Sequence, residues 1–208
     1  SNSLTEEDKY KNYYYEREKI RKENLSKFKN LNDYINSLNI SIKIKKNDVK
    51  TIERVAQLTQ KTNQFNSSLK RYSQNQIIRL LRQKTNNIFT GVVSDRYGST
   101  GLTLVCITKR NKKTLIILDF IMSCRIFGRK IEYAFLDYLE KKLITKEIKH
   151  LKIEFKKGPK NYLVREFLKN YGFTILSENK KSTTFQKGKL NKLNSNLESL
   201  DISCNYEK

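Results

Sequence analysis

The sequence has little cysteine, histidine and proline, no tryptophan, and no long apolar run. Its three cysteines, Cys106, Cys124 and Cys204, lack paired spacing, which argues against a disulfide scaffold and a structural zinc site. A membrane-spanning helix needs about 18 uninterrupted apolar residues, and none occurs. The first residues, 1–8, lack the basic and apolar regions of a secretory signal. These absences predict a reduced, cytoplasmic protein with no metal and no membrane partner.

Acidic residues are also scarce relative to basic ones. The chain of 208 residues contains 43 Lys and Arg against 21 Asp and Glu, a net charge of +22. Such a charge attracts polyanions. However, 32 of the basic residues are Lys and only 11 are Arg, whereas Arg is preferred for bidentate phosphate and base contacts. No zinc-finger, RNA-recognition or helix-turn-helix signature occurs. The excess of Lys and the missing motifs argue against specific nucleic-acid binding, and an acidic protein partner fits the charge equally well.

The apolar pattern predicts one α+β domain with extensions. Apolar residues recur at helical spacing in some segments and alternate in others. Helices are predicted over 5–29 (capped by Thr5), 49–61, 73–83, 129–145 and 161–170, and strands over 40–46, 88–95, 101–109, 114–121, 149–156, 173–177 and 183–187. This order indicates a mixed β-sheet flanked by helices on both faces. We divide the chain into an N-terminal helical connector (1–39), the main domain (40–188) and a polar C-terminal tail (189–208).

Two local motifs lie on the predicted strand–loop–helix units. The loop 122–130 precedes a helix, where free backbone N–H groups suit an anion. Its residues Arg125-Ile126-Phe127-Gly128-Arg129-Lys130 resemble the Arg/Gln-x-x-Gly-x-Gly/Ala pyrophosphate loop of the GNAT acyltransferases, with Lys130 departing at the last position. The segment Asn161–Phe173 is similar to the last GNAT motif. The resemblance implies a GNAT-like (acyl-CoA N-acyltransferase-like) fold.

A longer resemblance covers about residues 5–178. The strings VAQLTQKTNQFN (55–66), KRYS (70–73), DRYG (95–98) and SCRIFGRKIE (123–132), with the opening TEEDKYKNYYYEREKIR, resemble the C-terminal half of the FkbH-like proteins. These belong to subfamily IIIC of the haloacid-dehalogenase superfamily. Full-length members carry an N-terminal phosphatase-type half with an Asp-x-Asp motif. That motif is absent here, so the chain is similar to the GNAT-like half alone.

The resemblance implies an activity that composition does not. Relatives transfer a glyceryl-type acyl group, through thioesters, to an acyl carrier protein in methoxymalonyl- and polyketide-type extender biosynthesis. The implied partners are an acidic acyl carrier protein and a phosphatase-type domain, fused or separate. The implied cofactor is coenzyme A or the phosphopantetheine of the carrier. Two alternatives remain open: a coenzyme A-dependent N-acetyltransferase, and a non-catalytic docking domain for a phosphatase-type partner.

Cys124 is the candidate nucleophile. A thiol just before a helix that starts near Gly128 would lie where the helix dipole favours a thiolate, and Arg125 and Arg129 would add to this. The alternative is a buried, inert cysteine, which is the interpretation we prefer for Cys106. We assign Arg125, Gly128, Arg129 and Lys130 to phosphate or pantetheine binding; the alternative is a solvated basic turn.

A polar cluster follows the first helix of the main domain. Its members are Thr62, Asn63, Gln64, Asn66, Arg71 and Tyr72. The resemblance implies that they line a substrate pocket, whereas Asn63 and Asn66 could equally cap a helix. We add Asp95, Arg96 and Asn161 as pocket candidates, although the first two also suit a turn and Asn161 a helix cap. Glu132 could pair with Arg129 on one helix face.

Overall fold

The computed structural model of the protein describes residues 6–188 and 200–207. The predicted cap at Thr5 and residues 189–199 of the tail lie outside this part. The helices are α1 (Glu6–Leu25), α2 (Leu31–Ser37), α3 (Ile52–Lys61), α4 (Gln74–Arg82), α5 (Ile131–Leu143) and α6 (Tyr162–Tyr171). The strands are β1 (Ser41–Lys46), β2 (Asn86–Asp95), β3 (Gly98–Asn111), β4 (Thr114–Met122), β5 (His150–Lys156), β6 (Thr174–Glu178), β7 (Ser182–Gly188) and β8 (Ser203–Tyr206).

The strands form one sheet of eight in the order β6-β7-β5-β4-β3-β2-β1-β8. Strands β1 to β4 pair antiparallel in sequence order. Strand β5 then joins β4 in parallel through the α5 crossover, and β8 joins β1 in parallel. The sheet is therefore mixed, and the predicted α+β class is confirmed. Because parallel neighbours run in the same direction, the chain must first return along the sheet, and α5 provides this crossover between β4 and β5.

Apolar side chains cover both faces of the sheet. Along β3, Leu104 and Cys106 belong to the larger core with α2, α5 and α6, while Val105 and Ile107 belong to a second core with α3 and α4. Alternation along the strand sends successive side chains to opposite faces. The predicted helices on both faces are thus present, and Cys106 is buried in the core as expected.

The structure extends the sequence assignments in two places. Helix α2 was not predicted, although Asn30 caps it by accepting the Asp33 N–H at 2.9 Å. The segment assigned to a polar tail contains β8, and Cys204 on that strand packs against the core and donates to the Ala134 carbonyl at 3.7 Å. Burial raises the pKa of Cys204 to about 12. None of the described helices is long and apolar enough to cross a membrane.

The start of α4 is fixed by a capping box. The Ser73 hydroxyl accepts the Gln76 N–H at 3.2 Å, and the Gln76 side chain accepts the Ser73 N–H at 2.8 Å. We expect Ser73→Ala to lower the free energy of unfolding by about 1 kcal/mol, because the Gln76 N–H loses its ordered acceptor. Urea unfolding measures the loss. The control is Ser177→Ala on the exposed strand β6, and an equal loss in both variants would contradict the capping role.

Candidate functional site

The loop that carries Cys124 follows β4 directly. Ser123 closes a short 3-10 turn over Cys124–Ile126 by accepting the Arg125 N–H at 3.4 Å. Cys124 is exposed at the first position of this turn. The helix α5 begins only at Ile131, after a further stretch of loop. The expectation that a helix starts near Gly128 was therefore wrong, and Cys124 does not lie at the N-terminus of α5.

The end of this loop has free backbone donors. Gly128 and Lys130 adopt positive φ angles of 78° and 54°, which turn the chain sharply before α5. Within the described residues, no group accepts a hydrogen bond from the backbone N–H groups of Gly128, Lys130 and Ile131. Free N–H groups at a helix N-terminus attract anions. Space above Gly128 is open, so a ligand can approach its backbone.

The four basic-loop residues do not share one environment. Arg125 and Gly128 are exposed and Lys130 is half-buried, with its ammonium donating to the Asn32 side chain at 2.9 Å. Arg129 instead points into the protein. Its guanidinium donates to the Arg125 carbonyl at 2.6 Å and to Glu18 at 3.0 Å. Arg129 therefore holds the loop from inside, whereas Arg125 remains on its outer surface.

Arg129 belongs to a buried ion cluster with α1. Asp95, whose side chain is 1% exposed, accepts from Arg21 at 2.8 and 3.0 Å and lies 3.5 Å from the Arg129 guanidinium. Burial, followed by the neighbouring Arg21, lowers the pKa of Arg129 from its usual value. The cluster ties the connector helix to the loop. Glu132 does not pair with Arg129; instead its Oε2 is enclosed without a hydrogen-bond partner.

The DRYG string forms the turn between β2 and β3. Asp95 pairs with Gly98 in the ladder, so Arg96 and Tyr97 make the turn itself. Gly98 has a φ of 121°, and a Cβ there would meet the Arg17 guanidinium of α1. Arg96 is exposed, and its guanidinium lies 5.6 Å from the Tyr97 ring centroid. The turn interpretation fits this geometry, and Asp95 adds a contact with α1 that the sequence did not reveal.

The predicted polar cluster lies in a crevice between β4 and β5. These parallel strands pair only from Thr114 to Ile117 and from His150 to Ile153, and both continue beyond. The segment Phe65–Tyr72, here called the strap, fills the gap. The Met122 N–H donates to the Phe65 carbonyl at 3.0 Å, and the Ser67 N–H donates to the Phe120 carbonyl at 3.1 Å. From the other side, the Lys156 N–H donates to the Ser67 carbonyl at 2.9 Å. The strap thus satisfies backbone groups of both strands.

Side chains around the strap hold it in place. Asn161 donates to the Asn66 carbonyl at 3.0 Å and to the Lys156 carbonyl at 2.9 Å. It occupies the cap position of α6 but makes no capping bond with its side chain, so it ties the strap to β5 instead. The Thr62 carbonyl accepts from the Asn66 side-chain amide at 3.2 Å and from the Arg71 guanidinium at 2.9 Å. Asn63 and Gln64 are exposed at the outer end, where the Asn63 side chain accepts from Arg71.

A buried carboxylate that sequence reasoning missed lies beneath the strap. Asp119 on β4 is fully buried and accepts from the Tyr72 hydroxyl at 2.5 Å and from the Ser68 hydroxyl. Burial raises the pKa of Asp119 despite these two donors. A signal was available, because Asp119 interrupts an otherwise apolar strand, and a buried carboxyl requires partners. Among the described residues, including those around Asp119, no cluster of three or more potential metal ligands occurs.

Comparisons with known proteins identify the fold. No protein-family model matches the sequence, and no curated protein matches it. Among solved structures, the chain is similar to the ribosomal-protein-S18-alanine N-acetyltransferase of Escherichia coli, with 10% identity, 74% of this chain and 97% of that chain covered, and a TM-score of 0.56.

Two further acetyltransferases superpose similarly. The PaiA N-acetyltransferase of Thermoplasma acidophilum, in complex with coenzyme A, shows 15% identity, coverage of 71% and 98%, and a TM-score of 0.52. A GNAT-family acetyltransferase from Desulfovibrio desulfuricans shows 10% identity, coverage of 71% and 98%, and a TM-score of 0.53. The predicted GNAT-like fold is therefore confirmed. At these identities the likeness establishes the fold and leaves the activity open.

Proposed function

We propose that this chain is an acyltransferase-type domain in which Cys124 accepts an acyl group as a thioester. The observation that carries the proposal is the exposed Cys124 thiol on the loop after β4, which is the same loop that leads to the free N–H groups of Gly128, Lys130 and Ile131. Those groups suit the phosphate of a thioester-bearing arm. In the transfer, the Cys124 sulfur bonds to the acyl carbon, the donor carbon–sulfur bond breaks, and the departing thiolate takes up the thiol proton.

The resemblance to FkbH-like proteins supplies the finer proposal. The acyl group would be of glyceryl type, the partner an acidic acyl carrier protein, and a phosphatase-type domain, fused or separate, would provide the preceding step. The net charge of +22 supports an acidic partner. Attraction of this kind mainly accelerates encounter, so loading should slow as salt rises.

Intact-protein mass spectrometry tests the proposal. The chain is mixed with a glyceryl-loaded acyl carrier protein, and a glyceryl adduct is expected on Cys124. Cys124→Ala should lose the adduct completely, whereas Cys204→Ala should keep it, because Cys204 is half-buried with a raised pKa. If Cys124 stays unmodified while the carrier binds in a pull-down, the chain is a docking module and the covalent role is rejected.

A coenzyme A-dependent N-acetyltransferase is the second candidate. It is favoured by the structural neighbours, one of which was solved with coenzyme A. The loop 125–131 fits the phosphates of that cofactor. In the crevice beyond it the strap occupies the facing strand edges, so an extended arm, of coenzyme A or of a carrier protein, has to displace the strap to enter. Acetyl transfer from acetyl-coenzyme A to a primary amine, undiminished in Cys124→Ala, would establish this candidate.

A further inference from the structure

The strap, a segment of the same chain, occupies the crevice between β4 and β5. The peptide groups of Phe120 and Met122 face this crevice and bond to the strap, and Lys156 does so from β5. Crevices at the carboxyl ends of parallel strands are common ligand sites in open sheets. The loop with Cys124 follows β4 directly, so an arm reaching that thiol would pass the same strand end. The strap and such a ligand compete for one set of backbone groups.

The strap is unusually polar for a segment within a sheet. Asn66 and Ser67 are fully buried, and Ser68 nearly so. Their polar groups are satisfied by β4, β5 and Asn161, and the Ser67 hydroxyl also accepts the Phe120 N–H at 2.8 Å. Polar groups held in this way can exchange protein partners for water at little cost. Two residues anchor the strap through apolar contact: Phe65, whose ring meets Phe120 edge-on with centroids 5.3 Å apart, and Tyr72, whose ring packs in the second core.

One residue of the strap has a strained backbone. Leu69 adopts a φ of 58°, in the left-handed region that bulky side chains avoid. The Asn66 side chain holds this conformation by accepting the Leu69 N–H at 2.8 Å. Strained backbone of this kind is frequent in switch regions and clamps. Release of the strap would relieve it.

We propose that the strap is a gate, which an acyl-bearing phosphopantetheine arm displaces to reach the crevice between β4 and β5. This inference rests on the proposed function, because it concerns the ligand of that same site. The amides of the arm replace the backbone bonds of Phe65 and Ser67. Asp119 is the latch, since its carboxylate holds the Tyr72 and Ser68 hydroxyls and keeps the gate closed.

Weakening the latch should therefore tighten ligand binding. Tyr72→Phe removes the hydroxyl that donates to Asp119 and keeps the ring. We expect Tyr72→Phe to bind coenzyme A about tenfold more tightly than the unmodified chain, because less free energy is spent on opening. Tyr171→Phe is the matched control, because the Tyr171 hydroxyl likewise donates to a carboxylate, that of Glu140 at 2.7 Å, and this bond involves no residue of the strap. It should leave the affinity unchanged.

Calorimetry gives the affinities, and hydrogen exchange of the full chain reports the strap. Coenzyme A should accelerate exchange over 65–72 and slow it over 123–131. We repeat the measurement with a phosphopantetheine-bearing acyl carrier protein. The comparison shows whether coenzyme A or the carrier protein is the source of the arm. Strap release by either probe supports the gate, and the tighter probe identifies the source.

The outcomes separate the gate from the proposed function. Binding that leaves the strap protected, or equal affinities in Tyr72→Phe and Tyr171→Phe, overturns the gate and leaves the proposed function standing. No binding of either probe by any variant, together with no adduct on Cys124, rejects the proposed function and the gate with it.

Discussion

Asp95→Ala is expected to lower the free energy of unfolding by about 3–5 kcal/mol, the usual cost of removing one partner from a buried ion pair. Asp95 faces two guanidiniums, those of Arg21 and Arg129, whose side chains are 3% and 5% exposed. Without the Asp95 carboxylate, the acidic partner that these two positive charges keep among the described side chains is Glu18, which is 40% exposed. Their mutual repulsion then acts in a poorly solvated site.

The same substitution should loosen α1. Among the described side chains, Arg21 and Glu18 form ion pairs from α1 to Asp95 and Arg129, and Asn24 adds a hydrogen bond to Tyr97 at 2.5 Å. Once Asp95 is gone, Arg21 loses both of its bonds to the turn between β2 and β3. We therefore expect faster limited proteolysis within α1 under conditions in which the rest of the chain stays folded.

Urea unfolding and a proteolysis time course measure these effects. Asp137→Ala is the matched control, because Asp137 forms a pair with Lys141, which is 74% exposed. Such surface pairs contribute about 0–1 kcal/mol. If Asp95→Ala lost no more stability than Asp137→Ala, and α1 stayed resistant, the ion cluster would not be what attaches the connector helix.

The periodicity of the sequence located most of the sheet and its helices. The alternation in β3 and the face of α5 formed by Ile131, Phe135 and Leu139 depend on neighbouring residues, so they can be read locally. Helix α2 was missed because seven residues offer little periodicity. Strand β8 was missed because it forms by pairing with β1, which is distant along the chain.

The candidate site was predicted less completely, because its contacts are long-range. Arg129 looks like a solvated cation in the sequence, yet its partner Glu18 lies 111 residues away. Polar residues in the strap look like surface residues, yet Tyr72 meets Asp119 across 47 residues and Asn66 meets Asn161 across 95. Of these partners, only Asp119, a charged residue within an apolar strand, stands out in the sequence. Only the fold brings the opposite charge or the hydrogen-bond donor into reach.

Glu132→Gln is expected to remove a pH dependence from the stability of the fold. Burial raises the pKa of Glu132 from 4.5 to about 7, against smaller opposing effects of its own backbone N–H and of Lys130. Its Oε2 is enclosed and has no hydrogen-bond partner. Ionisation therefore places an unpaired negative charge at the start of α5, next to the loop that carries Cys124.

The direction follows from proton binding. Between pH 4.5 and about 7, the folded chain keeps a proton on Glu132 that the unfolded chain releases. This contribution to stability is complete below pH 4.5 and is lost as the pH rises through 7. The full shift corresponds to about 3 kcal/mol, and partial exposure of the residue reduces our expectation to about 2 kcal/mol.

Denaturant unfolding at pH 5 and pH 8 isolates this effect, because other titrating groups are common to both chains and cancel in the difference. We compare the unfolding free energy of Glu132→Gln with that of the unmodified chain at each pH. This difference should shift in favour of the variant by about 2 kcal/mol from pH 5 to pH 8. Glu53→Gln, an exposed glutamate in the first turn of α3, controls for the helix position and should show little change. A difference no larger than in that control would mean that water or a rotated side chain solvates the Glu132 carboxylate. In that case the start of α5 would tolerate the charge, and ionisation near pH 7 would not weaken the loop next to Cys124.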